Sequence, residues 1–130
     1  NKESLEIPYS SDKIYSYISN INNYESILIS EIKKFEKISE NEFKIKIGSL
    51  PNINLILEKK PSEKSVKLNS KDSSFNFYIL INVILITQNS SKINVKFFGS
   101  FSSMIEMMIK KPLENFIVSL KNKIEKSTFQ

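Results

Sequence analysis

The spacing of apolar residues changes period along this 130-residue chain, and that change limits the fold more than any single motif does. Phe43, Ile45 and Ile47 alternate with Glu42, Lys44 and Lys46, so one face of an extended segment is apolar and the other charged. The period of two returns in Ile53, Leu55 and Leu57, in Val66 and Leu68, in the long run from Phe75 to Leu85, and from Ile93 to Phe101. Ile32 to Ser39 leads into the Phe43 strand through Glu40-Asn41 and is expected to pair with it as a hairpin. Breaks at Gly48-Ser49-Leu50-Pro51, Lys59-Lys60-Pro61-Ser62 and Gln88-Asn89-Ser90-Ser91 are short and polar, which favours an antiparallel meander.

After Ser102-Ser103 the period becomes helical for more than twenty residues, about 33 Å of helix. Ile105, Ile109, Leu113, Phe116, Ile117, Leu120 and Ile124 share a sector of about 120°, which must pack on the sheet, while Met104, Met107 and Met108 fall outside it. Pro112 has no amide to bond the Met108 carbonyl and is expected to kink or split the helix. Ahead of the strands, Leu5 to Tyr9 is extended in character, and Ser10 or Ser11 begins a short helix with Ile14, Tyr15 and Ile18 on one side. A second helix is expected over 22–28, with Ile21, Tyr24, Ile27 and Leu28 at helical spacing. The order is α+β, one antiparallel sheet wrapped around one long amphipathic helix, and no linker or repeat divides residues 1–130 into more than a single domain.

A chain of this length buries about two thirds of its unfolded surface and needs neither disulfide nor metal to hold a core. There is no Cys and no His, which removes thiolate and imidazole metal sites, cysteine nucleophiles and histidine triads, and no cofactor is expected. The longest apolar stretch, Tyr78 to Ile86, is interrupted by Asn82 and is far shorter than the ~20 residues of a transmembrane helix. Net charge is +5, every cation is Lys, and Ala is absent, the signature of an AT-rich coding sequence as much as of an anionic partner. Without Arg the chain lacks the preferred residue for bidentate base and phosphate contacts, so nucleic acid is not the expected partner. Lys110, Lys111, Lys121, Lys123 and Lys126 give the long helix a basic side, a solvated face that also permits peripheral contact with a membrane. The segment at Asn1 carries no apolar signal-peptide core, so the cytoplasm is the expected compartment.

Two stretches carry a resemblance. Ile7-Pro8-Tyr9-Ser10-Ser11-Asp12-Lys13-Ile14-Tyr15-Ser16-Tyr17-Ile18, followed by Asn22-Asn23-Tyr24, resembles the opening of the SRPBCC superfamily of START, polyketide-cyclase and birch-pollen-allergen-like proteins. Met104-Ile105-Glu106-Met107-Met108-Ile109-Lys110-Lys111-Pro112-Leu113-Glu114-Asn115-Phe116 is similar to the last helix of a small Bacteroidetes-type branch of that superfamily, whose function is unassigned. Ser102-Ser103 stands where that branch has Asn-Pro. The resemblance implies a helix-grip fold, with a cavity for an apolar ligand between the concave face of the sheet and the long helix. It transfers a fold with more authority than an activity.

The candidate ligand-binding residues are the inward alternates Phe43, Ile45, Leu55, Leu57, Phe75, Phe77, Ile79, Ile81, Phe97 and Phe101, together with Met104, Met108 and Pro112. They would line a cavity for a hydrophobic or amphipathic small molecule, lipid-like or polyketide-like; alternatively the same side chains meet and fill it. The methionines would adapt to varied ligands, fill gaps in a core, or form an exposed patch that docks a partner. A cyclase- or aromatase-like enzyme would need polar groups in the cavity, and the candidates are Tyr15, Tyr24, Tyr78, Glu58 and Asn82, none of which is recognisably paired. A non-catalytic binding protein is the expected reading, with the enzyme and a ligand-free interaction module using the Met-rich helix end as alternatives.

Overall fold

The computed structural model describes residues 2–28, 32–47, 52–71, 76–99 and 103–126. Seven antiparallel strands, β1 (Lys2–Glu3), β2 (Ile32–Lys37), β3 (Glu42–Ile47), β4 (Ile53–Lys60), β5 (Ser65–Ser70), β6 (Phe77–Thr87) and β7 (Ser90–Gly99), form one sheet in the order β1-β7-β6-β5-β4-β3-β2. Helices α1 (Ser11–Ile18) and α2 (Tyr24–Leu28) connect β1 to β2, and α3 (Ser103–Lys126) follows β7. Each strand from β2 to β7 pairs antiparallel with the next in sequence, and β1 closes the far edge against β7.

Ser10 caps α1: its backbone is extended and its Oγ accepts from the Lys13 amide at 3.3 Å. The second expected helix starts as a 3₁₀ turn over Ile21–Asn23, capped by Asn20, and becomes α-helical at Tyr24. Leu5 to Tyr9 is a strand in only one place, the bridge from Ile7 to Ser91. Leu5 is 73% exposed, and its amide donates to Glu125 Oε2 at 2.9 Å, tying this segment to the end of α3.

The expected break at Pro112 does not split the helix, since α3 is continuous from Ser103 to Lys126. Proline removes one bond from the ladder, whereas the helix is held by burial of Phe116, Ile117, Leu120 and Ile124 in the common core. At the opposite end of the sheet from Gly99 and Ser103, Pro61–Glu63 turns β4 into β5, and Lys64 takes a left-handed conformation at φ 52°. Its carbonyl accepts from the Val83 amide at 2.9 Å, and its Nζ lies 2.5 Å from Asp12 Oδ1 and 5.5 Å from the Tyr15 ring centroid. The turn, the sheet and α1 are thereby joined at this end.

Candidate binding site between sheet and helix

Strand pairing arranges the inward side chains in rows. Leu57, Leu68, Ile79 and Phe97 are cross-strand partners in one row, and Val66, Ile81 and Val95 form the next. Phe43 lies opposite Leu55, and Ile45 opposite Ile53. These rows share one core with the buried stripe of α3 and with Ile14 and Ile18 of α1. Ile53, Val66, Leu68, Val83, Ile93 and Val95 are absent from the sequence-derived set, although the same alternation that selected their neighbours marks them.

Of that set, Phe43, Ile45, Leu55, Leu57, Phe77, Ile79 and Ile81 are buried on this face. Phe97 is half-buried against Phe77, ring centroids 5.4 Å apart at 30°, and Pro112 is half-buried on α3. Phe75, Phe101 and the side chain of Met108 lie outside the described residues. Met104 departs from the expectation of a cavity wall. It is 73% exposed, and Met107 is 85% exposed, because Met104 sits about 160° around the helix from the buried Leu120 at 100° per residue.

Coverage of the inner face is uneven. Phe43, Leu55, Leu68, Ile79 and Ile81 have no accessible surface, and a water-sized void beside any of them would leave some. The centre of the face is therefore close-packed. Phe77, Val83 and Ile117 keep a little exposure and Phe97 keeps more. The Phe77–Phe97 pair stands at the end of the sheet where β3, β5 and β7 finish, β4 and β6 begin, and α3 starts.

The polar candidates do not converge on this face. Tyr24 is fully buried beside Phe43, and its hydroxyl donates to the Ile18 carbonyl at 2.6 Å. Burial pushes its phenol well above the ordinary tyrosine range, so its proton is committed to the fold. Glu58 is exposed on the outer face, 3.4 Å from Lys60 Nζ and accepting from Asn69 at 3.5 Å. Tyr78 stacks on Phe98 on that outer face, and Asn82 lies between Ser65 and Asn94 in its register. Tyr15 is half-buried beside Lys64. No Asp, Glu or Lys is buried among the described residues, so apart from the Ser70 and Ser91 hydroxyls a bound group on the inner face would meet hydrocarbon and aromatic surface.

The sequence matches no family model and no curated protein. Among solved structures, norcoclaurine synthase from Thalictrum flavum, in complex with dopamine and hydroxybenzaldehyde, superposes with a TM-score of 0.75 at 14% identity, over 96% of this chain and 82% of that one. A START superfamily protein from Mycobacterium smegmatis gives 0.65 at 15% identity, over 98% and 97% of the two chains. The di-domain ARO/CYC protein BexL gives 0.65 at 11% identity, over 96% of this chain and 47% of that one. No helix among the described residues is long and apolar enough to cross a membrane. A curved antiparallel sheet closed by a long C-terminal helix, shared over nearly the whole chain with these proteins, is the helix-grip fold, and this chain has that fold.

Proposed function

We propose that the protein binds a hydrophobic or amphipathic small molecule, lipid-like or polyketide-like, at the Phe77–Phe97 end of the inner face, without chemistry. One observation carries this reading: apart from Ser70 and Ser91, the inner face is apolar among the described residues, close-packed at its centre, and less covered at Phe77 and Phe97. Removing apolar ligand surface from water contributes about 25 cal/mol per Å², so burial alone holds such a molecule. Pro112, where the helix ladder lacks one hydrogen bond, is the proposed hinge for admission, and Pro112→Ala is expected to slow ligand exchange. Native mass spectrometry of the purified protein, followed by denaturing extraction, is the test. A stoichiometric organic adduct that Phe97→Ala weakens supports the reading. A clean apo mass, together with no binding of a fluorescent long-chain fatty acid, overturns it.

The exposure of Met104 and Met107 favours a second reading, in which this end of α3 docks a protein partner. Met104→Asp combined with Met107→Asp would then abolish docking and leave the small-molecule adduct unchanged. Loss of the adduct in that variant would assign the methionines to the ligand site instead.

A further inference from the structure

The outer face of the sheet holds a layered stack that the inner-face reading does not use. Lys67 Nζ lies 4.2 Å from the Tyr78 ring centroid, and the other side of Tyr78 is covered by Phe98, centroids 4.7 Å apart at 23°. The layers follow strand order: Lys67 on β5, Tyr78 on β6, Phe98 on β7. Among the described residues the stack is open beyond Phe98. β1 pairs with β7 only at Asn94 and Val95, so no strand among the described residues flanks Phe98 on that side, and Phe98 is 41% exposed.

The charge around the stack is unequal from end to end. Glu58 stands directly opposite Lys67 in the register and pairs with Lys60, Glu42 pairs with Lys71 and Glu3 with Lys92, whereas Lys96, beside Phe98, has no carboxylate partner among the described residues. Lys96 is two residues from Phe98 on the same face, a spacing of about 7 Å along a strand. Asn69 lies directly opposite Tyr78 in the register, and its amide donates to Glu58 Oε1 at 3.5 Å.

We propose that this outer face binds single-stranded nucleic acid. A base stacks on the open side of Phe98 as the next layer, and an adjoining phosphate meets Lys96. An open aromatic surface beside Lys96, a cation with no carboxylate partner among the described residues, calls for a partner that carries planar rings and negative charge along one chain, which a single strand supplies. The lack of arginine removes bidentate reading of base edges and leaves stacking untouched, so binding is tolerant of sequence. A duplex, whose bases are already stacked, has no ring to offer.

The test is fluorescence anisotropy of a labelled oligothymidylate of about ten nucleotides, in low salt, against the full chain. Phe98→Ala is expected to weaken binding about 5- to 150-fold, the loss of one stacked base, and Phe98→Trp to preserve it. Lys96→Ala is expected to lower the slope of log Kd against log salt by about 0.7, one phosphate contact. Lys110→Ala with Lys111→Ala, a larger charge change on α3, should move affinity less than Phe98→Ala does. Equal binding by wild type and Phe98→Ala overturns the proposal, as does equal affinity for the matching duplex. Phe98-dependent sedimentation with phosphatidylserine vesicles but no oligonucleotide binding would assign the face to a lipid surface, and a Phe98-dependent dimer would assign it to a second copy of the chain; either overturns it. Thermal melts confirm that each variant is folded.

Discussion

β6 presents two surfaces on a single strand. Phe77, Ile79, Ile81 and Val83 are buried against the helix side, while Tyr78, Leu80, Asn82 and Ile84 are half-buried on the other. The residue types overlap, Phe, Ile and Val on one side and Tyr, Leu and Ile with one Asn on the other, so composition alone does not explain the difference. Coverage does: an inner side chain touches its own sheet, the opposed helix and the neighbouring rows, whereas an outer one touches only its sheet and the stems of nearby lysines. A buried apolar residue is worth its transfer energy plus the packing of everything around it. Ile79→Ala is therefore expected to cost about 2–5 kcal/mol, and Leu80→Ala, adjacent on the same strand, less than about 1 kcal/mol. Urea denaturation of the two variants measures both. Similar losses would break the distinction between the faces and would mean that something covers the outer one.

The alternation that separates these faces was legible in the sequence. Phe43, Ile45, Leu55, Leu57, Ile79 and Ile81 could be placed on one side from period alone, because a strand has no other way to distribute successive side chains. Strand ends were harder. β6 and β7 overlap along nearly their full length, and their pairing extends to Thr87 and Ser90, into polar residues that read as a turn. The continuity of α3 through Pro112 was hidden because the local rule for proline carries no information about the tertiary packing of Phe116 and Leu120. Nor does alternation report how well a face is covered, so the closed centre and the looser Phe77–Phe97 end became visible only in three dimensions. Tyr24 shows the same limit. It read as a helix-face residue or as a polar group for the cavity of an enzyme, and the decision rests on the Ile18 carbonyl 2.6 Å from its hydroxyl.

Tyr24 also sharpens the comparison, since it is a polar group on the fully covered side. Tyr24→Phe is expected to cost about 1–2 kcal/mol, through loss of the hydroxyl and an emptied acceptor at Ile18. Because burial raises the folded-state value above that of the unfolded chain, the tyrosine's contribution is complete below about pH 10 and is lost as the unfolded chain ionises above it. The wild type should weaken in alkali more steeply than Tyr24→Phe. Parallel profiles would mean that the phenol reaches water.

On the outer face the corresponding polar group is Glu42, and solvent makes its effect the smallest of the three. Asn54 Nδ2 donates to its Oε2 at 2.9 Å and Lys71 Nζ lies 3.4 Å from Oε1, which together hold the carboxyl below the ordinary glutamate range. A folded-state value below the unfolded one gives stability that is present above the unfolded value of about 4.3 and disappears as pH falls through the folded value. Glu42→Gln keeps an acceptor for Asn54 but loses the charge that faces Lys71. The wild type should therefore exceed Glu42→Gln slightly in urea midpoint at neutral pH, and the gap should close as the solution is acidified from pH 5 to pH 3. A gap that stays constant over that range would place the interaction in geometry, in the shape of the Glu42–Asn54 contact across β3 and β4, and would show that even on the open side of the sheet packing outweighs charge.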